Sequence, residues 1–156
     1  MKRKEISYNN SIEFAAELFT KALREALRKI HKEMNFEINH EEYIILETIA
    51  LNPGIIQIDI AKKIITKRSY ICKFLSKLEE RGYIRRENAI RGTRQIIMKN
   101  YITKEGERVY KKVRDYFKDK FENSKFENEK IKIVEQTTDT LFKMAEEIKK
   151  EYNLKF

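Results

Sequence analysis

The sequence has few residues that interrupt helices, with four glycines and one proline among 156 residues. This scarcity argues against a fold of many short strands and tight turns, and it favours a mainly helical protein. A single cysteine excludes a disulfide framework within these residues and fits a reducing compartment. No apolar run approaches membrane-spanning length, and no signal-peptide core follows the basic start, so we expect a cytoplasmic protein.

Charge, in contrast, is abundant and unevenly spread. The net charge is +9, and residues 56–101 alone hold twelve basic and four acidic residues, whereas residues 36–55 carry a net charge of −4. A localised basic field is typical of proteins that bind a polyanion, most often nucleic acid. The alternative is a solvated basic surface that has no partner.

Apolar residues at steps of three and four predict helices over 6–31, 39–51, 57–64, 67–81, 103–122 and 129–152. Asn39 is placed as an N-cap, with Glu42 three residues later as a capping box requires. Thr66 and Thr103 are the expected N-caps of two further helices. Gly82 is expected to end the helix at 67–81 in a left-handed conformation.

The apolar period changes after residue 82. The segments "YIRRE" (83–87) and "RQIIMKNYI" (94–102) favour strands, and "NAIRGT" (88–93) between them is turn-like. The order predicts a mainly α fold in which a helix-turn-helix and a small β-hairpin are flanked by long helices. Because so small a middle module cannot bury both outer apolar stripes, we expect a partner subunit to cover them.

The helix at 67–81 carries the most concentrated chemistry of the chain. Its inward face is apolar and comprises Ile71, Phe74, Leu75 and Leu78. A second face is small, polar and basic, and comprises Arg68, Ser69, Cys72, Lys73 and Ser76. Such a face fits a DNA major groove, where cations and hydroxyls reach base edges and phosphates. The hairpin loop adds Arg91 and Arg94 around Gly92, and a basic loop can enter a minor groove.

Four segments combine into a recognisable pattern: "QIDIAKKI" (57–64), "SYICKFLSKLEERGYIRR" (69–86), "RGTR" (91–94) and "ITKEG" (102–106). Together they resemble the winged helix-turn-helix of the multiple-antibiotic-resistance regulator (MarR) family. The motifs cover residues 55–106, and the helix order extends the resemblance over almost the whole chain. The resemblance implies a winged helix-turn-helix at 36–102, with helical dimerisation regions at 1–35 and 103–156, all in one compact chain.

The resemblance also implies a homodimeric transcriptional regulator that reads a pseudo-palindromic operator in double-stranded DNA. Such proteins are usually repressors released by a small ligand, often aromatic and anionic, or by oxidation of a cysteine. We therefore expect DNA and a second copy as partners, a small effector of that kind where one exists, and neither a cofactor nor a membrane partner. The expected DNA contacts are Lys67, Arg68, Ser69, Tyr70, Cys72, Lys73, Ser76, Lys77, Arg91 and Arg94.

The wing departs from the family pattern in two ways. Its loop, "NAIRGTR", contains no aspartate, so the salt bridge that usually braces a family wing is not expected here. The stretch from residue 94 to residue 103 is also longer than the pattern implies, which predicts a bulge or a longer hairpin.

Several other residues have two interpretations. Cys72 is either a reactive thiol beside cations or a small tolerated side chain, and we hypothesise that sensing is not thiol-based. His31 and His40 could hold a metal, but a hydrogen-bonded or solvated role is favoured for so small a set. The aromatic residues between the helices could line a ligand pocket, but a core role is favoured; they are Tyr8, Phe14, Phe19, Phe36 and Tyr43.

Three other classes of function fit the sequence less well than sequence-specific DNA binding does. A non-specific architectural DNA binder would more often show an uninterrupted run of lysine and arginine on the recognition helix. An enzyme is not expected, because the chain has no phosphate-binding glycine loop and no credible nucleophile–base pairing. A protein-interaction module would not need so concentrated a positive charge.

Overall fold

The computed structural model describes residues 11–92, 95–122 and 128–154, without the side chains of residues 121–135. The elements follow the predicted order, with one short strand in addition. They are α1 (Ile12–Glu33), α2 (His40–Leu51), β1 (Ile55–Ile56), α3 (Gln57–Lys63), α4 (Arg68–Glu80), β2 (Ile84–Arg91), β3 (Gln95–Ile102), α5 (Lys104–Glu122) and α6 (Asn128–Glu151).

The strands form one antiparallel sheet in the order β1-β3-β2. The added strand, β1, pairs Ile55 with Asn100 of β3. The side-chain amide of Asn100 donates a hydrogen bond to the Ile55 carbonyl oxygen at 2.7 Å. Sequence patterning could not predict this strand, because two residues are too few to show a period. Its existence depends on a partner strand that lies far along the chain.

Two predicted helix starts are confirmed. The Asn39 side-chain oxygen accepts from the Glu42 N–H at 2.8 Å, and a Glu42 carboxylate oxygen accepts from the Asn39 N–H at 2.9 Å, which completes the capping box. The Thr103 hydroxyl oxygen accepts from the Gly106 N–H at 3.0 Å. Each cap satisfies backbone donors that the first turn of a helix leaves without an intrahelical partner.

The start of α4 differs from the prediction, whereas its end matches. Thr66 is not the cap: the N-cap is Lys67, whose side chain makes no capping bond, because the chain turns through Ile65 at φ 53° and enters the helix one residue later. At the other end Gly82 has φ +72°, as predicted. Its N–H donates to the Glu79 carbonyl, and the next N–H donates to the Leu78 carbonyl, both at 2.8 Å, which is a Schellman ending.

The hairpin is longer than the turn-like sequence suggested. Residues 88–91, part of the stretch 88–93 predicted as turn, lie in the strand ladder, where Asn88 pairs with Met98 and Ile90 with Ile96. The strand β2 therefore continues to Arg91, and β3 begins at Gln95. The expectation of a longer hairpin is confirmed, and the ladder between 84–91 and 95–102 runs without a bulge. Cross-strand pairing overrides the weak turn preference of this segment.

One hydrophobic core joins the helix-turn-helix, the base of the sheet and the first half of α5. Its fully buried members include Ile45, Leu46, Ile49, Ile60, Ile71, Leu75, Leu78, Ile84, Val109 and Val113. The predicted inward face of α4 is confirmed, with Phe74 half-buried beside the other three. The domain division at residues 36–102 stays a prediction, and Val109 and Val113 of α5 share the core of that unit.

The long outer helices have a different character. In α1 the buried residue is His31, and apolar side chains remain open, with Phe19 61% exposed. In α6 Phe142 is 70% exposed. No helix in the described ranges combines the length and the apolarity that a membrane span needs. The apolar stripes predicted on the outer helices are therefore present but mostly uncovered in a single chain.

Candidate nucleic-acid interface

The exposed face of α4 matches the surface that the sequence predicted. Its apolar members Ile71, Leu75 and Leu78 are at most 1% exposed. The residues predicted to contact DNA are all exposed: Lys67, Arg68, Ser69, Tyr70, Cys72, Lys73, Ser76 and Lys77. No acidic residue interrupts the sequence between Lys67 and Lys77. The face therefore offers cations, hydroxyls and a thiol together, and its contacts with DNA stay predictions.

The first turn of α4 is held in place from the neighbouring helix. The Gln57 side-chain amide of α3 donates to the Arg68 carbonyl at 2.9 Å. Behind it, the rings of Tyr70 and Phe74 pack with centroids 4.8 Å apart. This fixes the beginning of the helix, which is the part that a helix-turn-helix places nearest the bases.

The end of α4 is tied to the start of α2 through a buried carboxylate. The Glu42 side chain is 2% exposed, and its carboxylate lies 2.6 Å from the Lys77 ammonium and 3.2 Å from the Arg81 guanidinium. The same carboxylate closes the capping box of α2. Lys77, predicted as a DNA contact, is thus already paired within the fold. Sequence reasoning found the capping role of Glu42 and missed this pairing, for which the only signal was the spacing of Lys77 and Arg81.

Arg81 extends this link towards α5. Its guanidinium donates to the Glu37 carbonyl and to the Tyr83 hydroxyl, and it lies 4.7 Å from the centre of the Tyr83 ring. The Glu37 carboxylate in turn binds Arg108 of α5 through two hydrogen bonds of 3.0 and 2.8 Å. The Arg108 guanidinium lowers the pKa of the Glu37 carboxyl. Charged pairs therefore connect the α1–α2 junction, α4 and α5.

The wing, which is the hairpin of β2 and β3, is held by contacts at its base. Arg86 Nε donates to a Glu79 carboxylate oxygen at 2.6 Å, which joins β2 to the end of α4. The Arg85 guanidinium lies 4.5 Å from the centre of the Tyr101 ring on β3. These contacts hold the hairpin although its loop lacks the aspartate of the family pattern.

Of the two arginines predicted for the wing, one lies among the described residues. Arg91 is exposed at the end of β2. Arg94 lies outside the described residues. A cleft of 270 Å³ separates the wing from the start of α4, and its walls include Arg68, Arg86 and Arg91.

A second cavity, of 510 Å³, lies between α1 and the helix-turn-helix. Its walls include Arg24 and Arg28 of α1, His40 of α2 and Tyr70 of α4. None of the described aromatic residues proposed for a pocket lines it. Phe36 and Tyr43 pack against the core, as the favoured interpretation predicted. For Phe19 that interpretation is wrong, because its side chain is 61% exposed, and Tyr8 lies outside the described residues.

The two histidines lie together at the α1–α2 junction. His31 is 6% exposed, its Nδ1 donates to the Ile38 carbonyl at 2.9 Å, and its ring centre is 5.7 Å from that of His40. The described residues include no group of three or more histidine, cysteine, aspartate or glutamate side chains that could hold a metal ion. The hydrogen bond of His31 agrees with the structural role favoured for it.

His40 makes the stability of this junction depend on pH. Burial, and then the neighbouring His31, lower the pKa of His40 from 6.5, while Glu41 opposes that shift. Because the folded pKa lies below the unfolded one, the neutral ring stabilises the fold above about pH 6.5, and this contribution is lost as the pH falls through the folded pKa. The thermal midpoint should therefore fall on acidification, and less steeply in His40→Gln. Equal pH profiles for the two proteins would contradict this assignment.

Residues 38–89 match the family model described as MarR family. This match begins just before α2, ends within β2 and covers a third of the chain. The predicted family resemblance and the winged helix-turn-helix fold are thus confirmed.

Solved structures share this fold at low sequence identity. The transcriptional regulator SlyA is 23% identical with a TM-score of 0.71, over 92% of this chain and 97% of that one. FabT of Streptococcus pneumoniae, in complex with DNA, is 18% identical with a TM-score of 0.70, over 91% and 99%. PcaV of Streptomyces coelicolor, in complex with its natural ligand, is 17% identical with a TM-score of 0.66, over 92% and 99%. A comparison with curated proteins finds no match.

Proposed function

We propose that this MarR-domain protein is a cytoplasmic, homodimeric, non-enzymatic repressor that binds a pseudo-palindromic operator in double-stranded DNA. The observation that carries the proposal is the exposed, acid-free face of α4 beside a basic wing. In a helix-turn-helix dimer each recognition helix reads one half-site in the major groove. FabT, which shares the fold, has been solved in complex with DNA.

Two kinds of contact are proposed within each half-site. The base-reading set lies on α4 and comprises Arg68, Ser69, Tyr70, Cys72, Lys73 and Ser76. Phosphate contacts are proposed for Lys67 and Lys77 at the edges of this face, and Arg91 and Arg94 are proposed for the wing. Hydroxyls and cations together suit base edges as well as phosphates, which favours sequence-specific reading over purely ionic binding.

The dimer is supported by the apolar side chains that a single chain leaves open. On α1 these include Ile12 and Phe19, and on α6 they include Phe142 and Ile148, all between 49% and 70% exposed. Exposed apolar surface along two long helices is typical of a subunit interface. A second copy would bury both helices under one symmetric contact.

Release by a small ligand is supported by the 510 Å³ cavity against α1. Arg24 and Arg28 offer positive charge, and Tyr70 offers an aromatic face, so an aromatic anion fits this chemistry. Tyr70 also belongs to the proposed base-reading face. A ligand in the cavity would therefore contact α1 and α4 at once, and would change the spacing of the two α4 helices in the dimer.

The test of sequence reading compares Lys73→Ala with Arg91→Ala. Loss of Lys73 should reduce the preference for operator over scrambled DNA, since each good base contact contributes about 1–3 kcal/mol of discrimination. Loss of Arg91 should weaken both complexes similarly and make the salt slope shallower by about one unit. Fluorescence anisotropy on DNA upstream of the protein's own gene, at several salt concentrations, measures both effects.

The matched control for Lys73→Ala is Lys112→Ala, which removes the same charge from the exposed surface of α5. The control should leave the preference unchanged. Unchanged preference in Lys73→Ala would reject the assignment of this residue to base reading. Equal, salt-sensitive binding of the unchanged protein to upstream and scrambled DNA would favour a non-specific architectural binder.

A further inference from the structure

The tip of the wing carries an exposed apolar pair. Ile90 and Ile96 are 76% and 74% exposed, more than any other large apolar side chain in the described part of the chain. They are direct cross-strand partners in the ladder of β2 and β3. Met98, two residues along β3 on the same face, is 42% exposed. One face of the hairpin tip is therefore both apolar and exposed to water.

This face is covered at the base of the hairpin and bare at its tip. Ile84 and Asn100, which share it by strand alternation, are 2% and 1% exposed. Beyond them this face is not covered by other parts of the described chain, as the exposed fractions of Met98, Ile96 and Ile90 show. The strand preference of isoleucine does not by itself account for the pair, because threonine has a similar preference and a polar group. The exposed pair thus has the character of a contact surface.

The surroundings of the pair indicate the partner. Residues 84–102 contain five basic residues and one acidic residue, and Arg91 directly follows Ile90. Ile96 and Met98 also line the 270 Å³ cleft whose other wall includes Arg68, the first residue of the recognition helix. So positive a setting disfavours a second wing of the same charge and favours a polyanion.

We infer that Ile90 and Ile96 form an apolar wedge that enters the DNA minor groove beside the recognition-helix contact and opens it. This inference rests on the proposed function. The wedge adds apolar contact with sugars and base edges to the ionic contacts of the wing. Apolar wedges at base steps partly unstack them and bend the duplex.

The dimensions of the hairpin require the groove to open. Ile90 and Ile96 lie one position before the last pair of the ladder, which is Arg91 with Gln95. The two pairs are therefore about 3.4 Å apart along the strand. The minor groove is about 7.5 Å deep and about 6 Å wide, so a tip of two strands about 4.8 Å apart, with side chains, exceeds its width. Opening costs least at flexible pyrimidine–purine steps and most in stiff A-tracts. The protein should therefore select flexible steps where the wing binds.

The experiment compares two double variants of nearly equal shape. I90T/I96T replaces the apolar pair with polar side chains, and I90V/I96V keeps it apolar, while all four new residues are β-branched and suit strands. The probe is a duplex that the unchanged protein selects from a random-sequence pool. Affinity is measured over a range of salt concentrations, and the bend is measured by the electrophoretic mobility of circularly permuted fragments.

The threonine variant should bind about tenfold more weakly than the unchanged protein, because each substitution removes a terminal methyl group and replaces a methylene group with a hydroxyl. Its salt slope should not change, because no charge is removed. Its complex should be less bent, and the preference for flexible steps should weaken. The valine variant should remain within about threefold of the unchanged protein, since it loses less apolar area.

Equal affinity and equal bending in the two variants would overturn the wedge and leave the proposed function intact. A change of oligomeric state in the threonine variant, with unchanged DNA affinity, would also overturn it, because the pair would then be a contact between copies. Failure of the unchanged protein to bind any duplex would reject the proposed function together with the wedge. Far-UV circular dichroism verifies that both variants are folded.

Discussion

Replacing Gly106 with alanine is expected to destabilise the fold by more than about 3 kcal/mol, beyond the usual cost of overpacking. An added Cβ would lie 1.9 Å from the Tyr83 carbonyl oxygen and 2.8 Å from the carbonyl carbon. That carbonyl accepts the Thr103 N–H at 3.0 Å, so it cannot move away without breaking the joint between β2 and α5. The shift of the urea unfolding midpoint measures the loss.

Gly82→Ala is the control for this prediction. No atom lies within 4 Å of a Cβ added at Gly82, so its cost comes only from the backbone at φ +72°. That cost is about 1–2 kcal/mol. If Gly106→Ala were no more destabilising than Gly82→Ala, the start of α5 would not press on Tyr83 as described. A crowded contact and a strained backbone are thus separated by two substitutions of the same kind.

Replacing Glu42 with alanine is the second large effect, with an expected loss of about 3 kcal/mol. The substitution leaves the Asn39 N–H without its capping acceptor and removes the partner of Lys77 and Arg81. This loss of folding free energy is at the lower end for a buried ion pair, because the Lys77 and Arg81 side chains are 54% and 30% exposed and keep part of their hydration. Chemical denaturation in urea measures the change.

Glu41→Ala, one residue earlier on the same helix, is the control, because Glu41 has no part in the capping box. Its effect should be small. The loss in Glu42→Ala should persist at high salt, since the Glu42 carboxylate is buried and poorly screened. If high salt abolished the difference between the two variants, the Glu42 pairs would behave as surface ion pairs, and they would not hold α4 against α2.

Local sequence signals predicted most of the helix boundaries. Asn39 and Thr103 cap as predicted because a cap needs only a side-chain acceptor and the backbone N–H three residues later. Gly82 ends α4 because it lacks a Cβ and adopts a left-handed conformation at little cost. These signals act within one turn of helix, so the rest of the fold does not alter them.

The wrong predictions concern segments where distant contacts decide the conformation. Thr66 could have capped α4, but the left-handed turn at Ile65 moves the start of the helix to Arg68. The first four residues of the turn-like stretch 88–93 are strand because β3 supplies their pairing partners. Hydrogen bonds between strands depend on register, and register is set by residues that the local sequence does not contain.

By itself, the sequence determined the resemblance to the MarR family, which its motifs carry. It also determined the helical character, the concentration of positive charge and the polar face of α4, because composition and period are properties of the chain alone. The tertiary structure decided that Glu42 pairs with Lys77 and Arg81, that Arg24, Arg28 and Tyr70 share a cavity, and that Ile90 and Ile96 meet at the exposed tip of the wing. Each of these depends on residues that are distant in sequence or in separate elements, and only folding brings them together.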